Sequence, residues 1–314
     1  MTGDTTRNHA PAADGAPTTL RGAIARIVAH EDLNFLLTNR IPRRLATRLI
    51  GRFSRIEQPW IRRASIAVWR VFSDVDLDDA AKTEWRSLHD CFIRALRPGA
   101  RAPDPAPDVI ASPCDAIVGA CGPMAGLEVC QIKGFPYDLP DLLGDAAEAA
   151  PFRDGLYVTL RLTAGMYHRF HAPHDLTVEQ VTYMSGDTWN VNPIALRRVE
   201  RLFCRNERAA IRARLRDGGE PILLVAVAAI LVASIRLTFL DTPALLRAGG
   251  PRRIPLNAAL DKGAEMGWFE HGSTIVMFVP PGFALADGIG DGARIRAGCA
   301  LLRRVAATDA SIGG

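Results

Sequence analysis

Lys262-Gly263-Ala264-Glu265-Met266-Gly267-Trp268-Phe269-Glu270-His271-Gly272-Ser273-Thr274 runs directly into Ile275-Val276-Met277-Phe278-Val279, and the reading of the whole chain turns on this stretch. As a fold signal, Gly-Ser-Thr makes a turn, and the five apolar residues after it make a buried strand. As a chemical signal, the Gly272 carbonyl has no side chain of its own to block attack, and the next residue supplies a hydroxyl nucleophile. A self-cleavage site has that composition, and so has an ordinary turn. The tripeptide alone does not separate the two.

Upstream, from about Val109, the texture stays β-like. Short runs such as Tyr157-Val158-Thr159-Leu160-Arg161-Leu162 are separated by Gly, Pro and Asp turns. The apolar run Ile222 to Ile235, bounded by Pro221 and Arg236, is shorter than the roughly 20 residues a membrane-crossing helix requires, and its Val and Ile content predicts buried strands. Ala195 to Arg216 reads as a helix or a long excursion, and Gly288 to Leu302 as a hairpin-like pattern. Before the β texture, residues 20–97 carry apolar residues at helical spacing, such as Leu45, Leu49, Ile50 and Phe53, with Pro42 and Pro59 separating the helices. Asp76 or Asp78 is expected to cap a further helix bearing Trp85, Leu88, Phe92 and Leu96, followed by a Pro-rich connector. The expected fold class is therefore α+β, a helical amino-terminal region followed by a mainly β core. The expected organisation is a disordered lead-in at 1–19, a basic helical region at 20–108 and a core at 109–314.

With 314 residues and 48% hydrophobic composition, the chain can bury a large core. The cysteines Cys91, Cys114, Cys121, Cys130, Cys204 and Cys299 show neither zinc spacing nor a CxxC pair, so neither a metal site nor a disulfide framework is suggested, and a reducing cytoplasm fits. Residues 1–19 lack the apolar segment of a secretory signal. Net charge is only +4, yet Arg40, Arg43, Arg44, Arg48, Arg52, Arg55, Arg62, Arg63 and Arg70 face a single acid, Glu57, within that span. Such a run makes either a solvated helix face or a surface helix whose arginines meet anionic headgroups while Trp60, Trp69 and Leu side chains enter the interface. Nucleic acid fits less well, because aromatics do not interleave with the basic residues.

Two further clusters could join Ser273 in chemistry. Asp115 follows a Ser112-Pro113-Cys114 turn, where an acid commonly serves only the turn. The segment Met166-Tyr167-His168-Arg169-Phe170-His171-Ala172-Pro173-His174 holds three of the seven histidines. In an extended chain His168 and Phe170 share one face, and Arg169 and His171 the other, so the first two imidazoles need not share a role. For His174 a structural role is expected. A serine, a histidine able to take its proton and an aspartate holding that imidazole form an activated nucleophile recognised by geometry and not by chain order.

Taken together and in order, these segments resemble the phosphatidylserine decarboxylase family, a group of pyruvoyl-dependent enzymes. Leu33 to Pro42 is similar to its amino-terminal helices, and Cys91 to Arg97 to its FFxRxL segment. Ser112-Pro113-Cys114-Asp115 is similar to its SPxDG turn, with Ala116 in place of Gly. Lys133 to Leu139, Tyr167 to Pro173, Asn192-Pro193 and Asn206-Glu207-Arg208 follow in the family's order. Lys262 to Thr274 resembles its KGxExGxFxxGST block, with His271 where an uncharged residue is usual.

The resemblance implies that Asp115, His171 and Ser273 form a relay for self-cleavage between Gly272 and Ser273. His168 is then expected to assist proton transfer in decarboxylation. Ser273 would end as a covalent pyruvoyl group that forms a Schiff base with phosphatidylserine, and the product would be phosphatidylethanolamine. The implied assembly is a heterodimer of the two cleavage products, open to further oligomerisation, held peripherally on the cytoplasmic face of an anionic membrane. Rival readings are a pyruvoyl enzyme acting on another amino acid or serine lipid, and an unprocessed membrane-binding homologue.

Overall fold

The structure, a computed structural model, describes residues 49–132, 135–229, 235–242, 244, 252–270 and 273–305. The expected lead-in, the expected helices before residue 49, Lys133, Gly134, His271 and Gly272 lie outside the described residues.

A helical segment at 49–53 precedes α1 (Pro59–Phe72) and the short α2 (Leu88–Phe92). Pro59 opens α1 at a position where its missing N–H costs nothing. The helix expected to start at Asp76 or Asp78 begins instead at Ser87, whose hydroxyl accepts the Asp90 N–H. It is shorter than expected, so Trp85 and Leu96 fall outside it.

The β core comprises β1 (Val109–Ala111), β2 (Ala116–Pro123), β3 (Glu128–Ile132), β4 (Phe135–Asp138), β5 (Leu156–Leu162), β6 (Arg169–His171), β7 (Leu176–Met184) and β8 (Arg208–Leu215). It continues through β9 (Pro221–Ala228), β10 (Ile235–Leu237), β11 (Arg252–Leu260), β12 (Glu265–Phe269), β13 (Ser273–Val279), β14 (Phe283–Leu285), β15 (Arg294–Ile295) and β16 (Ala300–Arg304). Eight strands form the main sheet in the order β11-β7-β8-β9-β13-β5-β2-β15, each pair antiparallel.

All seven residues of β13 are buried, which explains why its sequence is continuously apolar after Ser273-Thr274 where an exposed strand would alternate. Its neighbour β9 is buried over seven of its eight positions, in line with the strand expected from Ile222. At the sheet edge, β11 alternates exposed with half-buried residues and carries Arg252, Arg253 and Pro255, residues that discourage pairing with another chain.

Two sequence expectations need correction. Across Ala195 to Arg216 only Leu202–Arg205 and the end of Pro193–Leu196 are helical, and Arg208–Leu215 is a strand inside the main sheet. Its arginines recur at spacings that suit a helix as well as an alternating strand, and the neighbours β7 and β9 decide the outcome. The Gly288–Leu302 region is not a hairpin. Its two strands part company, β15 joining β2 and β16 lying between β1 and β14. In consequence β13, β15 and β16 each pair with a strand from upstream of residue 273, so the carboxyl-terminal segment is interleaved with the rest of the core.

β12 belongs to a second sheet, β10-β12-β6, and the chain passes from it into the centre of the main sheet within residues 270–272. Gly267 permits the β12 packing. A Cβ there would collide with the Arg236 carbonyl oxygen and lie 2.9 Å from Phe170 Cζ. Gly267→Ala should therefore lower unfolding free energy by about 3 kcal/mol, as overpacking does. Gly290→Ala, where nothing lies within 4 Å, should change it by less than about 0.5 kcal/mol. Denaturant midpoints of the two variants check the contrast, and equal midpoints would contradict it.

Candidate active site

Ser273 is the first residue of β13, opposite Leu162 of β5 and Ala228 of β9. Both flanking ladders fix its backbone, and its residue surface is 0% exposed. Among the described residues the Ser273 and Thr274 hydroxyls have no hydrogen-bond partner. A buried hydroxyl left so costs about 1–3 kcal/mol. Beside Ser273 opens a cavity of about 440 Å³ whose lining includes Ile50, Trp69, Phe92, Asn190 and Asn192. Apolar walls with a few polar groups suit a ligand that is itself largely apolar.

The two central histidines divide across β6 as alternation predicts. His168, just before the strand, and Phe170 are fully buried, whereas Arg169 and His171 are half-buried. The His168 ring stacks on Phe92 with centroids 4.0 Å apart, and Phe92 lines the Ser273 cavity. Phe92 thus links His168 to the cavity beside Ser273.

His171 is held differently. Its Nδ1 lies 2.9 Å from the Gly263 carbonyl oxygen and its Nε2 2.9 Å from the Tyr167 hydroxyl. A carbonyl only accepts, so Nδ1 carries the hydrogen, and in the neutral ring Nε2 accepts from the Tyr167 O–H. Burial lowers the His171 pKa from its ordinary value. The Gly263 carbonyl and the negative charges of Glu265 and Asp115 oppose that shift.

Asp115 does not hydrogen-bond to His171. Arg101 grips it from two nitrogens, Nε to Oδ1 at 2.8 Å and Nη2 to Oδ2 at 2.7 Å, and the Ala297 N–H donates to Oδ1 at 2.9 Å. The turn that carries Asp115 is pinned to both neighbours, since Ser112 exchanges backbone bonds with Gly298 and Cys299, and the His171 N–H donates to the Pro113 carbonyl. Asp115 and Tyr167 line a second, polar cavity of about 350 Å³ together with Arg94 and Arg101. The four predicted residues thus fall into two groups, Ser273 with His168 and Asp115 with His171. The electrostatic pull of Asp115 on His171 spans the second group without a direct bond.

The Lys262 block acquires a physical reading residue by residue. Lys262 Nζ donates to the Ala106 and Val109 carbonyls, at 3.0 and 2.8 Å. Gly263 adopts φ +84°, where a side chain is strained, and presents its carbonyl to His171. Glu265 accepts from Arg169 Nη1 at 2.8 and 2.9 Å, and that guanidinium also lies 5.4 Å from the Trp268 ring. His174, for which a structural role was expected, has its Nε2 3.0 Å from the Pro107 carbonyl.

Sequence reading missed three contributors: Arg101 as the partner of Asp115, the Tyr167 hydroxyl as the partner of His171, and Phe92 as the wall joining His168 to Ser273. Tyr167 lay within the histidine segment and could have been found by asking what satisfies His171. Arg101 sits in a Pro-rich connector, where nothing in the sequence pairs it with a residue 14 positions on.

Residues 88–303 match the phosphatidylserine decarboxylase family. The chain is similar to proteins named phosphatidylserine decarboxylase proenzyme in several bacteria. For that of Xanthomonas axonopodis pv. citri (strain 306), identity is 35% over 279 residues, covering 85% of this chain and 98% of the relative. For Bordetella pertussis (strain Tohama I) it is 37% over 251 residues, covering 76% and 83%. For Shewanella woodyi it is 34% over 257 residues, covering 79% and 89%.

The site geometry makes two predictions. Arg101→Met leaves Asp115 buried without its counter-charge and should cost about 3 kcal/mol in denaturant unfolding. An unchanged midpoint would show that the pair is not holding the turn. Because the folded-state pKa of His171 lies below its ordinary 6.5, the stability it contributes is complete above that pH and is lost as pH falls below it. Melting temperature should therefore decline between about pH 7 and pH 5, and less steeply in His171→Gln. Equal slopes would contradict the assignment.

Proposed function

The chain belongs to the phosphatidylserine decarboxylase family and removes carbon dioxide from phosphatidylserine to give phosphatidylethanolamine; we propose that it does so with a pyruvoyl group made from its own Ser273. The observation that carries this reading is the Ser273 hydroxyl, buried and without a described partner, at the head of a central strand and beside a largely apolar cavity. No outside cofactor is required for such a group. Its carbons are those of the serine itself; the serine oxygen stays on the Gly272 carboxylate, the nitrogen leaves as ammonia and water supplies the ketone oxygen.

In the proposed maturation the Ser273 oxygen attacks the Gly272 carbonyl and gives up its proton, turning the amide into an ester. Elimination at Ser273 breaks the ester, and hydrolysis with loss of ammonia leaves the ketone. The relay Asp115, His171 and Ser273 is proposed on the family pattern. Asp115 favours the protonated imidazole through its charge, as the acid of such a relay must. For His171 to reach the serine proton, Nε2 must exchange its contact with the Tyr167 hydroxyl. A second reading, favoured by the Phe92 stack, makes His168 the base for maturation as well as for turnover.

The pyruvoyl group supplies an electrophilic carbonyl that captures the substrate amine and accepts the electron pair released with carbon dioxide. The largely apolar lining of the Ser273 cavity disfavours water beside it, and His168, stacked on the Phe92 ring of that lining, is the residue proposed to return a proton. The two products are proposed to stay together, because β13, β15 and β16 remain hydrogen-bonded to strands of the longer piece.

The proposed location is a peripheral one on an anionic membrane. No described helix is long and apolar enough to cross a membrane. α1 buries no residue in the protein and exposes Trp60, Val68, Val71 and Phe72, with Arg63 and Arg70 also exposed, and Leu49, Ile50 and Phe53 extend the apolar surface. Ile50 also lines the Ser273 cavity, so the surface offered to lipid continues into the site. A headgroup could reach Ser273 without its acyl chains leaving the bilayer.

Carbon dioxide release should be seen with phosphatidylserine vesicles and not with free serine, and turnover of the free amino acid alone would overturn the lipid reading. His171→Ala should block cleavage, while His168→Ala should cleave yet turn over at least about a hundredfold more slowly, the scale of general acid–base catalysis. Cleavage lost in His168→Ala and kept in His171→Ala would transfer the maturation role to His168.

A further inference from the structure

Glu270 stands three positions before Ser273, where the chain leaves β12 for β13, and it occupies a variable position in the KGxExGxFxxGST pattern. It is nevertheless buried, 4% exposed. Three elements converge on it. Arg55, just beyond the helical segment 49–53, places Nη2 3.0 Å from Oε2. Arg236 of β10 places Nε 3.2 Å from Oε1, and His89 of α2 places Nε2 3.9 Å from the same oxygen. A carboxylate in low-dielectric surroundings costs several kcal/mol unless paired, and the two arginines, from different parts of the chain, fix its position as well as satisfying its charge, while burial lowers the pKa of His89 and disfavours its charged form.

We infer that Glu270 is a positioning residue for maturation: with Arg55 and Arg236 it fixes the chain entering the 271–273 segment so that the Gly272 carbonyl meets the Ser273 oxygen. The inference rests on the proposed cleavage between Gly272 and Ser273. On the other side of that bond, β13 fixes Ser273 through both neighbouring strands. Without an anchor on the carbonyl side, the two reacting groups would be held from one side only. Intramolecular attack is steeply sensitive to such placement, and a displacement of about 1 Å can cost a hundredfold. The anchor reaches into the amino-terminal layer through Arg55, so maturation requires that layer to be docked on the core.

The test follows the appearance of the 273–314 piece by mass spectrometry after pulsed synthesis of the full chain. Glu270→Gln, which keeps the shape and removes the charge, should mature at least about tenfold more slowly than the parent. Arg55→Met should slow it likewise, and Arg55→Lys should recover most of the rate. In a Ser273→Ala chain, which has no nucleophile, Glu270→Gln should leave the melting temperature nearly unchanged, since Arg55 and Arg236 keep access to water, whereas Arg55→Met should lower it by removing one of the charges that pair the buried carboxylate. Maturation of Glu270→Gln at the parent rate would overturn the inference. So would slowing of Glu270→Gln matched by a fall in its own melting temperature, with no recovery of maturation in Arg55→Lys, since that is the signature of a merely structural ion cluster. Failure of the parent itself to mature would instead overturn the cleavage reading, and the two failures are distinct.

Discussion

The double ladder of β13 is the interaction on which the rest depends. Antiparallel bonds to β5 on one side and β9 on the other place Ser273 in the centre of the eight-stranded sheet, fully buried and at the wall of the cavity of about 440 Å³. The same ladders would keep the strand in place once its amino-terminal peptide bond is gone, because no backbone bond of β13 to its neighbours depends on the connection through residues 270–272. The proposed self-cleavage at the start of a central strand would need this redundancy. Here it is reinforced by β15 and β16, which weave the carboxyl-terminal segment into strands drawn from residues 109–123.

Around that fixed point the chemistry is divided by strand alternation. β6 and the residue before it send His168 toward Phe92 and the Ser273 cavity, and His171 toward Gly263, Tyr167 and the charge of Asp115. One imidazole is packed among rings and the other held between a carbonyl and a hydroxyl. Two histidines three positions apart can thus serve different proton transfers. Asp115, gripped by Arg101 and by the Ala297 N–H, also ties the segment beyond residue 273 to the segment before it, so its charge does structural as well as electrostatic service.

Much of this was legible in the sequence for physical reasons. The continuous apolar run from Ile275, only five residues long and opened by a turn, reads as a strand covered on both faces, and the alternation over 168–171 already separates the two histidines. Other parts were not legible. Arg208–Leu215 carries a pattern that fits helix and strand alike, and only the flanking strands resolve it. The partition of Arg294–Ile295 and Ala300–Arg304 between two sheets depends on long-range pairing that local periodicity does not encode. The resemblance to the family implied one relay of Asp115, His171 and Ser273, but Asp115 and His171 share no hydrogen bond. Arg101 and Tyr167 intervene because the buried carboxylate and imidazole take the nearest available partners.

The central claim, that Ser273 becomes the reactive carbonyl by self-cleavage, is tested most directly by the intact mass of an enzymatically active preparation of the full chain. Two chains are predicted, one ending at Gly272 and one spanning 273–314, the shorter lighter by one ammonia than the corresponding serine-terminated peptide. A single uncleaved chain in an active preparation would contradict the account.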